Sequence, residues 1–226
     1  MIDPGRERLV DVSHWMDAFS FPGNPEFSKT GPHNRVSGKN REYVYDLTLC
    51  TQTGTHIQGP HYFLENGQTI DLFRINDFEG PCLIVDLEKR GKDTTSEDLK
   101  NLIHPDERQL PILVLRTGHM EEVIQTGELA PTRRPGLSLD AAAFLTEQTG
   151  FRLIGIDSVG LESRSTENFE VNVHFARHGV LLLEGLVNLH SVRARHAFLH
   201  AFPLKIRGVE GTPCRAVIRD PAIDQD

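Results

Sequence analysis

The densest gathering of chemically capable side chains is the run Gln52-Thr53-Gly54-Thr55-His56-Ile57-Gln58-Gly59-Pro60-His61-Tyr62-Phe63. A strand starting near Tyr43 and continuing through it would set Gln52, Gly54, His56 and Gln58 on one face, because strand side chains alternate. Three polar side chains would then converge. Gly54 would leave room for a ligand at the backbone, and Gly59-Pro60 would turn His61 or Tyr62 toward the same region. The alternative is a polar sheet face followed by a turn. A second signal is Glu184, set in the apolar run Val180-Leu181-Leu182-Leu183-Glu184-Gly185-Leu186-Val187. Burying a lone carboxylate costs on the order of several kcal/mol unless a cation or metal compensates it, so either such a group meets Glu184 or the strand is an edge with Glu184 in water. His174 and His178, four residues apart, would share a helix face, where they either bind a metal or face solvent. Arg116 and Asp157 each end an apolar strand, where a charge lines a crevice or begins a loop. Trp15 belongs to a core or to a pocket wall.

The elements that must position these residues are short. Strand-like apolar runs fall at 9–13, 43–56, 82–87, 112–118, 152–158, 179–186, 197–206 and 214–218, and helical patterns at 96–103, 137–150 and 168–179. Ser138 has the character of a helix cap, and Gly150 and Gly179 of helix stops. Strands alternating with helices, within a chain whose first third and last thirty residues lack helical patterns, predict an α/β single domain over 1–226. Its mixed β-sheet is flanked by helices and extra strands. The Pro-, Gly-, Asn- and Ser-rich stretch within 14–42 reads as a long loop or arm.

Composition narrows the function classes. With 226 residues, 24 Lys+Arg against 32 Asp+Glu and a net charge of −8, the chain has no basic footprint for nucleic acid. It has no apolar run long enough to span a bilayer and no apolar leader at its start, so a cytoplasmic location is expected, with a small-molecule substrate as partner. Cys50, Cys82 and Cys214 are odd in number and scattered, and read as reduced packing residues. The 11 histidines are the unusual element, suited to metal ligation and to proton transfer.

The sequence resembles the cyclase-like metal-dependent hydrolases, the family of bacterial kynurenine formamidase and isatin hydrolase. The resemblance rests on Asp11-Val12-Ser13-His14 with Phe21-Pro22-Gly23-Asn24-Pro25, Gly54-Thr55-His56 with Pro60, Leu115-Arg116-Thr117-Gly118, Pro135-Gly136-Leu137-Ser138, Gly155-Ile156-Asp157-Ser158, Glu184-Gly185-Leu186 and Pro203-Leu204-Lys205-Ile206. It implies a swivelling β/β/α, cyclase-like fold, assembled as homodimers or homotetramers whose N-terminal segment reaches a neighbour's pocket. It also implies a metal-bound water attacking an amide, lactam or ester carbonyl. Against the family signature H-x-G-T-H-x-D-x-P-x-H, His56 matches the second histidine, and His174 and Glu184 are assigned to the later histidine and glutamate. Gln52 and Gln58 replace the first histidine and the aspartate, and Tyr62 stands at the last histidine with His61 one residue early.

Two catalytic outcomes follow from these departures. In one, His56, His174 and Glu184 hold a single divalent cation, zinc or manganese, with His61 as general base. In the other the cation is gone. Gln52 and Gln58 then bind a polar substrate while His56, His61, His174 and Glu184 carry out acid/base dehydration, isomerisation or cyclisation. A kynurenine-type substrate would need an aromatic slot, for which Trp15, Tyr62 and Phe63 are the candidates. A third reading is a binding protein that keeps the fold without catalysis.

Overall fold

The computed structural model describes residues 7–21, 23–37, 40–87, 91–129, 133–165 and 168–221. Pro22 of the opening motif lies outside them. The elements in chain order are β1 (Arg8–Asp11), β2 (Ser28–Ser37), β3 (Asn40–Thr48), β4 (His56–Gln58), β5 (Glu79–Asp86), β6 (Asp93–Thr94), α1 (Ser96–Leu102), β7 (Ile112–Arg116), α2 (His119–Thr126), β8 (Gly136–Leu137), α3 (Leu139–Glu147), β9 (Leu153–Ile156), α4 (Glu170–Arg177), β10 (Leu181–Glu184), β11 (His196–Pro203) and β12 (Gly211–Asp220).

The central strands β5, β7, β9 and β10 run parallel, and their continuous Leu/Ile/Val sequences fit strands buried on both faces. β11, β12 and β4 join antiparallel. The sheet order is β1-β12-β11-β5-β7-β9-β10-β4, and β4 also pairs with β12, so the expected mixed sheet closes into a barrel. Closure divides the apolar side chains into two cores. One, including Leu83, Val85, Leu113, Leu115, Phe144, Ile154 and Phe175, lies under α1, α3 and α4. The other, including Ile57, Ile84, Val114, Leu183, Leu199 and Ile218, fills the interior.

The helix signals behave as their chemistry dictates. Thr95 and Asp98 form a reciprocal capping box on α1, and Ser138 caps α3 by accepting from the Ala141 amide. Gly179 follows α4 in the left-handed conformation that ends helices. α2, absent from the sequence expectation, follows the left-handed Gly118 directly.

Two expectations need correction. The run 43–56 is not one strand: β3 stops at Thr48, and the chain turns through 50–54, where Gly54 has φ +66°, before the three residues of β4. The 14–42 arm also divides. His14, Phe19, Phe21, Gly23 and Asn24 line a cavity described below, whereas β2 and β3 form an exposed two-stranded ribbon.

The three cysteines carry no disulfide, and burial pushes the Cys82 thiol up to about 12. No helix among the described residues is long and apolar enough to cross a membrane.

One ion pair ties the turn before β7 to the start of β11. The buried Glu107 accepts from Arg195 Nε at 2.7 Å, His196 Nε2 at 2.8 Å and the His104 amide at 2.9 Å. Arg195 above all, with the His104 amide and against the opposing effect of burial, holds the Glu107 carboxyl at about 2 rather than 4.5. A depressed carboxyl stabilises the fold above its unfolded pKa, and the contribution fades as pH falls through the folded one. Glu107→Gln is therefore expected to cost about 2 kcal/mol at pH 7, after discounting for solvent at Arg195. Urea titrations at falling pH should show the gap from wild type closing between pH 4.5 and 2.

Candidate functional site

A cavity of about 520 Å³ opens between β4, the end of β10, the segment after β9 and the start of α4. That volume suits a small organic molecule. His56 and Glu184 sit at its base, directly opposite one another in the antiparallel β4–β10 ladder. Both are buried, with His56 Nε2 3.6 Å from Glu184 Oε2. His56 Nδ1 is 2.9 Å from the Gly54 carbonyl. A carbonyl can only accept, so Nδ1 carries a proton, while Nε2 is buried with no hydrogen-bond partner among the described residues. Gln58, two residues along the strand and on the same face, donates from Nε2 to Glu184 Oε1 at 3.2 Å.

Loops and a helix end complete the ring. Glu162 accepts from the Val171 and Asn172 amides in the first turn of α4 and from Asn172 Nδ2 at 2.9 Å, which aims Asn172 at the cavity. Arg134 enters from the opposite side. Burial pulls its pKa down while Glu162, Glu184 and Asp93 pull it back up. Gly160 leaves the space between them open: a Cβ there would lie 3.6 Å from Glu184 Oε1 and 3.8 Å from Arg134 Nη1.

A second imidazole, His14, bonds through Nδ1 to the Trp15 carbonyl at 2.8 Å. Burial, and further the nearby His56, hold it below the ordinary histidine pKa, against the pull of that carbonyl. Phe19, Phe21, Tyr62, Phe63 and Phe169 form the apolar wall, with the Tyr62–Phe63 ring centroids 4.6 Å apart and Phe63–Phe169 5.6 Å apart.

The cavity thus gathers His56, Gln58, Glu184, Gln52 and Tyr62 of the expected residues. Three others lie outside it. His174 is turned to α3, with Nε2 2.8 Å from Thr146 Oγ1 and its ring against His178. Two residues along a helix is a rotation of about 200°, so α4 presents Asn172 to the cavity and His174 away from it. His61 sits in the 3-10 turn after Gly59, and its side chain is not among those lining the cavity. Trp15 is 81% exposed and contributes its carbonyl to His14 rather than a slot wall. Arg116 and Asp157 border a separate crevice and act as clamps. Arg116 grips Asp86 and the Leu189 and Val192 carbonyls, and Asp157 accepts from Thr117 and Gly118. His14, Arg134, Glu162 and Asn172 were not anticipated as site residues. The sequence signal for them was slight: His14 ends the Asp11-Val12-Ser13-His14 motif and Arg134 directly precedes Pro135-Gly136, while Glu162 and Asn172 lie in none of the quoted motifs.

The divalent metal that the resemblance implies does not fit this donor set. His56 and Glu184 stand 3.6 Å apart, but His14 is tied through Nδ1 to the Trp15 carbonyl and Glu162 is committed to Asn172 and the first amides of α4, and the other polar groups, Gln52, Gln58 and Asn172, are neutral amides that bind transition metals weakly. No three His, Cys, Asp or Glu side chains among the described residues could hold a metal ion together.

Sequence and structure comparisons agree on ancestry. The Cyclase family profile matches residues 10–163. The chain belongs to that family. A kynurenine formamidase of Bacillus cereus (strain ATCC 10987 / NRS 248) is 31% identical over 218 residues, covering 93% of this chain and 96% of its own. A kynurenine formamidase of Paracidovorax citrulli is 29% identical over 225 residues, covering 95% and 97%. Isatin hydrolase A from Ralstonia solanacearum superposes with a TM-score of 0.80 at 18% identity over 94% of this chain and 91% of its own, which supports the fold. A structure described as a predicted metal-dependent hydrolase from Bacillus stearothermophilus matches with a TM-score of 0.73 at 25% identity, over 94% and 98%. This cyclase-family hydrolase therefore keeps the scaffold around an altered set of polar side chains.

Its two imidazoles depend on a pair of left-handed glycines. At Gly185, with φ +71°, a Cβ would come within 3.1 Å of the Gly54 carbonyl that orients His56 and within 3.2 Å of His14 Nε2. Gly185→Ala is expected to cost about 1–2 kcal/mol in denaturant unfolding from the backbone conformation alone. It should also shift the His14 and His56 imidazole signals in NMR spectra, whereas Gly208→Ala, where nothing lies within 4 Å, should leave them in place.

Proposed function

We propose that the protein hydrolyses an amide, lactam or ester carbonyl of a small aromatic metabolite without a metal ion. The observation that carries this reading is His56: its Nδ1 proton is committed to a backbone carbonyl, its Nε2 has no hydrogen-bond partner among the described residues, and a carboxylate stands 3.6 Å away. Such an imidazole can take a proton from water, and the charge it then acquires develops beside Glu184. The water oxygen bonds to the carbonyl carbon as its proton passes to Nε2. The tetrahedral oxyanion is stabilised by the Arg134 guanidinium. As the bond to nitrogen or oxygen breaks, the leaving atom takes the bond's electron pair and the proton held on His56. The sum is carbonyl compound plus water giving acid plus amine or alcohol. The aromatic wall, and the relatives named as kynurenine formamidases and isatin hydrolases, support an aromatic substrate.

The route through a cation held by His56, His174 and Glu184 loses its second imidazole because His174 faces α3. The resemblance also supports assembly into homodimers or larger. The β2–β3 ribbon, with Val36, Tyr43, Tyr45 and Leu47 exposed, is the surface we assign to contact with a second copy. Light scattering that gave a monomer mass at micromolar concentration would remove that assignment.

The catalytic reading is tested with formanilide, isatin and phenyl acetate as probes of the three carbonyl classes. His56→Ala and Glu184→Gln are each expected to lower kcat/KM about 10²–10⁴-fold on whichever probe turns over. Protein purified without chelator should carry no stoichiometric transition metal and should keep its rate after dialysis against a chelator. Loss of activity on chelation, or variants as active as wild type, overturns the reading.

A further inference from the structure

The chain between His14 and β2 is fastened at its two ends and unfastened along its length. At the first end the Val12 amide donates to the Ala216 carbonyl at 3.1 Å, the Val187 amide to the Val12 carbonyl at 3.0 Å and the His14 amide to Thr55 Oγ1 at 3.0 Å. Ser13 Oγ donates to the Ala216 carbonyl and accepts from the Ala216 amide. The second end is Ser28, where β2 begins to pair with β3. Between them, among the described residues, 15–21 and 23–27 make only local hydrogen bonds: the Ala18 amide and the His14 ring to the Trp15 carbonyl, and the Asn24 amide to the Phe21 carbonyl. None of these residues is buried. Yet Phe19, Phe21, Gly23 and Asn24 form part of the cavity wall. A wall with neither a backbone ladder nor a packed core behind it has low local stability.

The aromatic rings around the cavity also lack cover. Phe21 is 44% exposed, and Tyr62 and Phe169, which line the same cavity, are 44% and 58% exposed. Gly23 supplies a pivot: its φ of +95° is one that glycine tolerates, and nothing lies within 4 Å of where a Cβ would stand. We propose that residues 15–21 and 23–27 are a strap that closes over the occupied cavity of their own subunit, turning at Gly23 and bringing Phe19 and Phe21 onto the ligand, Tyr62 and Phe169. A ligand fills the hollow between these rings, so ordering the strap removes apolar surface from water on both sides of it. Closure also excludes water from the His56–Glu184 rung, as lids do in other active sites. The strap governs entry to the site of the reaction proposed above, but it rests only on the cavity being a ligand site and on no step of the hydrolysis.

Trp15 is the single tryptophan of the chain and stands at the strap's root, 81% exposed, so its emission reports the strap directly. The probe is benzylacetone, an aryl ketone with no bond to hydrolyse, with its occupancy measured separately by calorimetry. Hydrogen exchange in the wild-type protein is expected to show the amides of 15–21 and 23–27 exchanging within seconds when free and about tenfold or more slowly when benzylacetone is bound. Trp15 emission should move to shorter wavelength, and the β2–β3 ribbon should exchange as before. Phe19→Ser combined with Phe21→Ser, at positions that are not buried, should keep the melting transition, lose the protection and release benzylacetone about tenfold faster. Protection already present without ligand, binding that leaves exchange and emission unchanged, or no binding at millimolar concentration overturns the proposal. So does protection that follows protein concentration rather than benzylacetone, which would assign the cover to a second copy. If the strap orders while His56→Ala keeps full turnover of formanilide, the hydrolytic mechanism fails and the strap stands.

Discussion

His56 and Glu184 face each other as one rung of a β-ladder, and everything else in the site is arranged around that rung. A carboxylate and an imidazole brought together on flexible loops would be costly to hold in register. Here the backbone hydrogen bonds of β4 and β10 set the separation, and the Gly54 carbonyl sets the rotation of the ring. The same three residues of β4 pair on their other edge with β12, so the strand that carries the chemistry also closes the barrel. Stability and catalytic geometry are thus fixed by one set of bonds. The neighbouring positions are correspondingly restricted to residues that leave the ladder undisturbed: glycine at 54 and 185, and Thr55, whose hydroxyl donates to the Gly185 carbonyl while accepting from the His14 amide.

Charge is distributed with equal economy. The buried acids of the cavity each hold an amide donor: Glu184 holds Gln58, and Glu162 holds Asn172 together with the first amides of α4. Arg134 provides the compensating positive group from a loop. In the metal-free mechanism proposed above, a guanidinium and oriented amides supply hydrogen-bonding direction where a cation would supply a Lewis acid.

Much of this was legible in the sequence where a rule of local periodicity applied. The apolar runs of the central strands, the cap of α3 at Ser138, and the shared face of His56 and Gln58 follow from alternation and end chemistry. The interior acid Glu184 was visible because such a group in a leucine run demands a partner. What could not be read came from tertiary closure. Nothing local reveals that β4 has two partners, or that Arg134 and His14 meet the same hollow from loops distant in the chain. The choice between Asn172 and His174 turned on the rotational phase of α4. That phase is set by Glu162 gripping the helix's first amides, a contact made from outside the helix.

The dual pairing of β4 has a kinetic side. His56 lies opposite Glu184 on one edge and opposite Pro213 on the other, so its position is defined by contacts very remote in the chain. Such topologies are slow to form, because loop-closure entropy is lost before the distant pairings repay it. On a ribosome the site cannot assemble until the segment containing Pro213 has left the exit tunnel. An intermediate holding only the parallel strands and their helices would present Glu184 on β10 without His56 opposite it, so the rung is completed only when β4 docks.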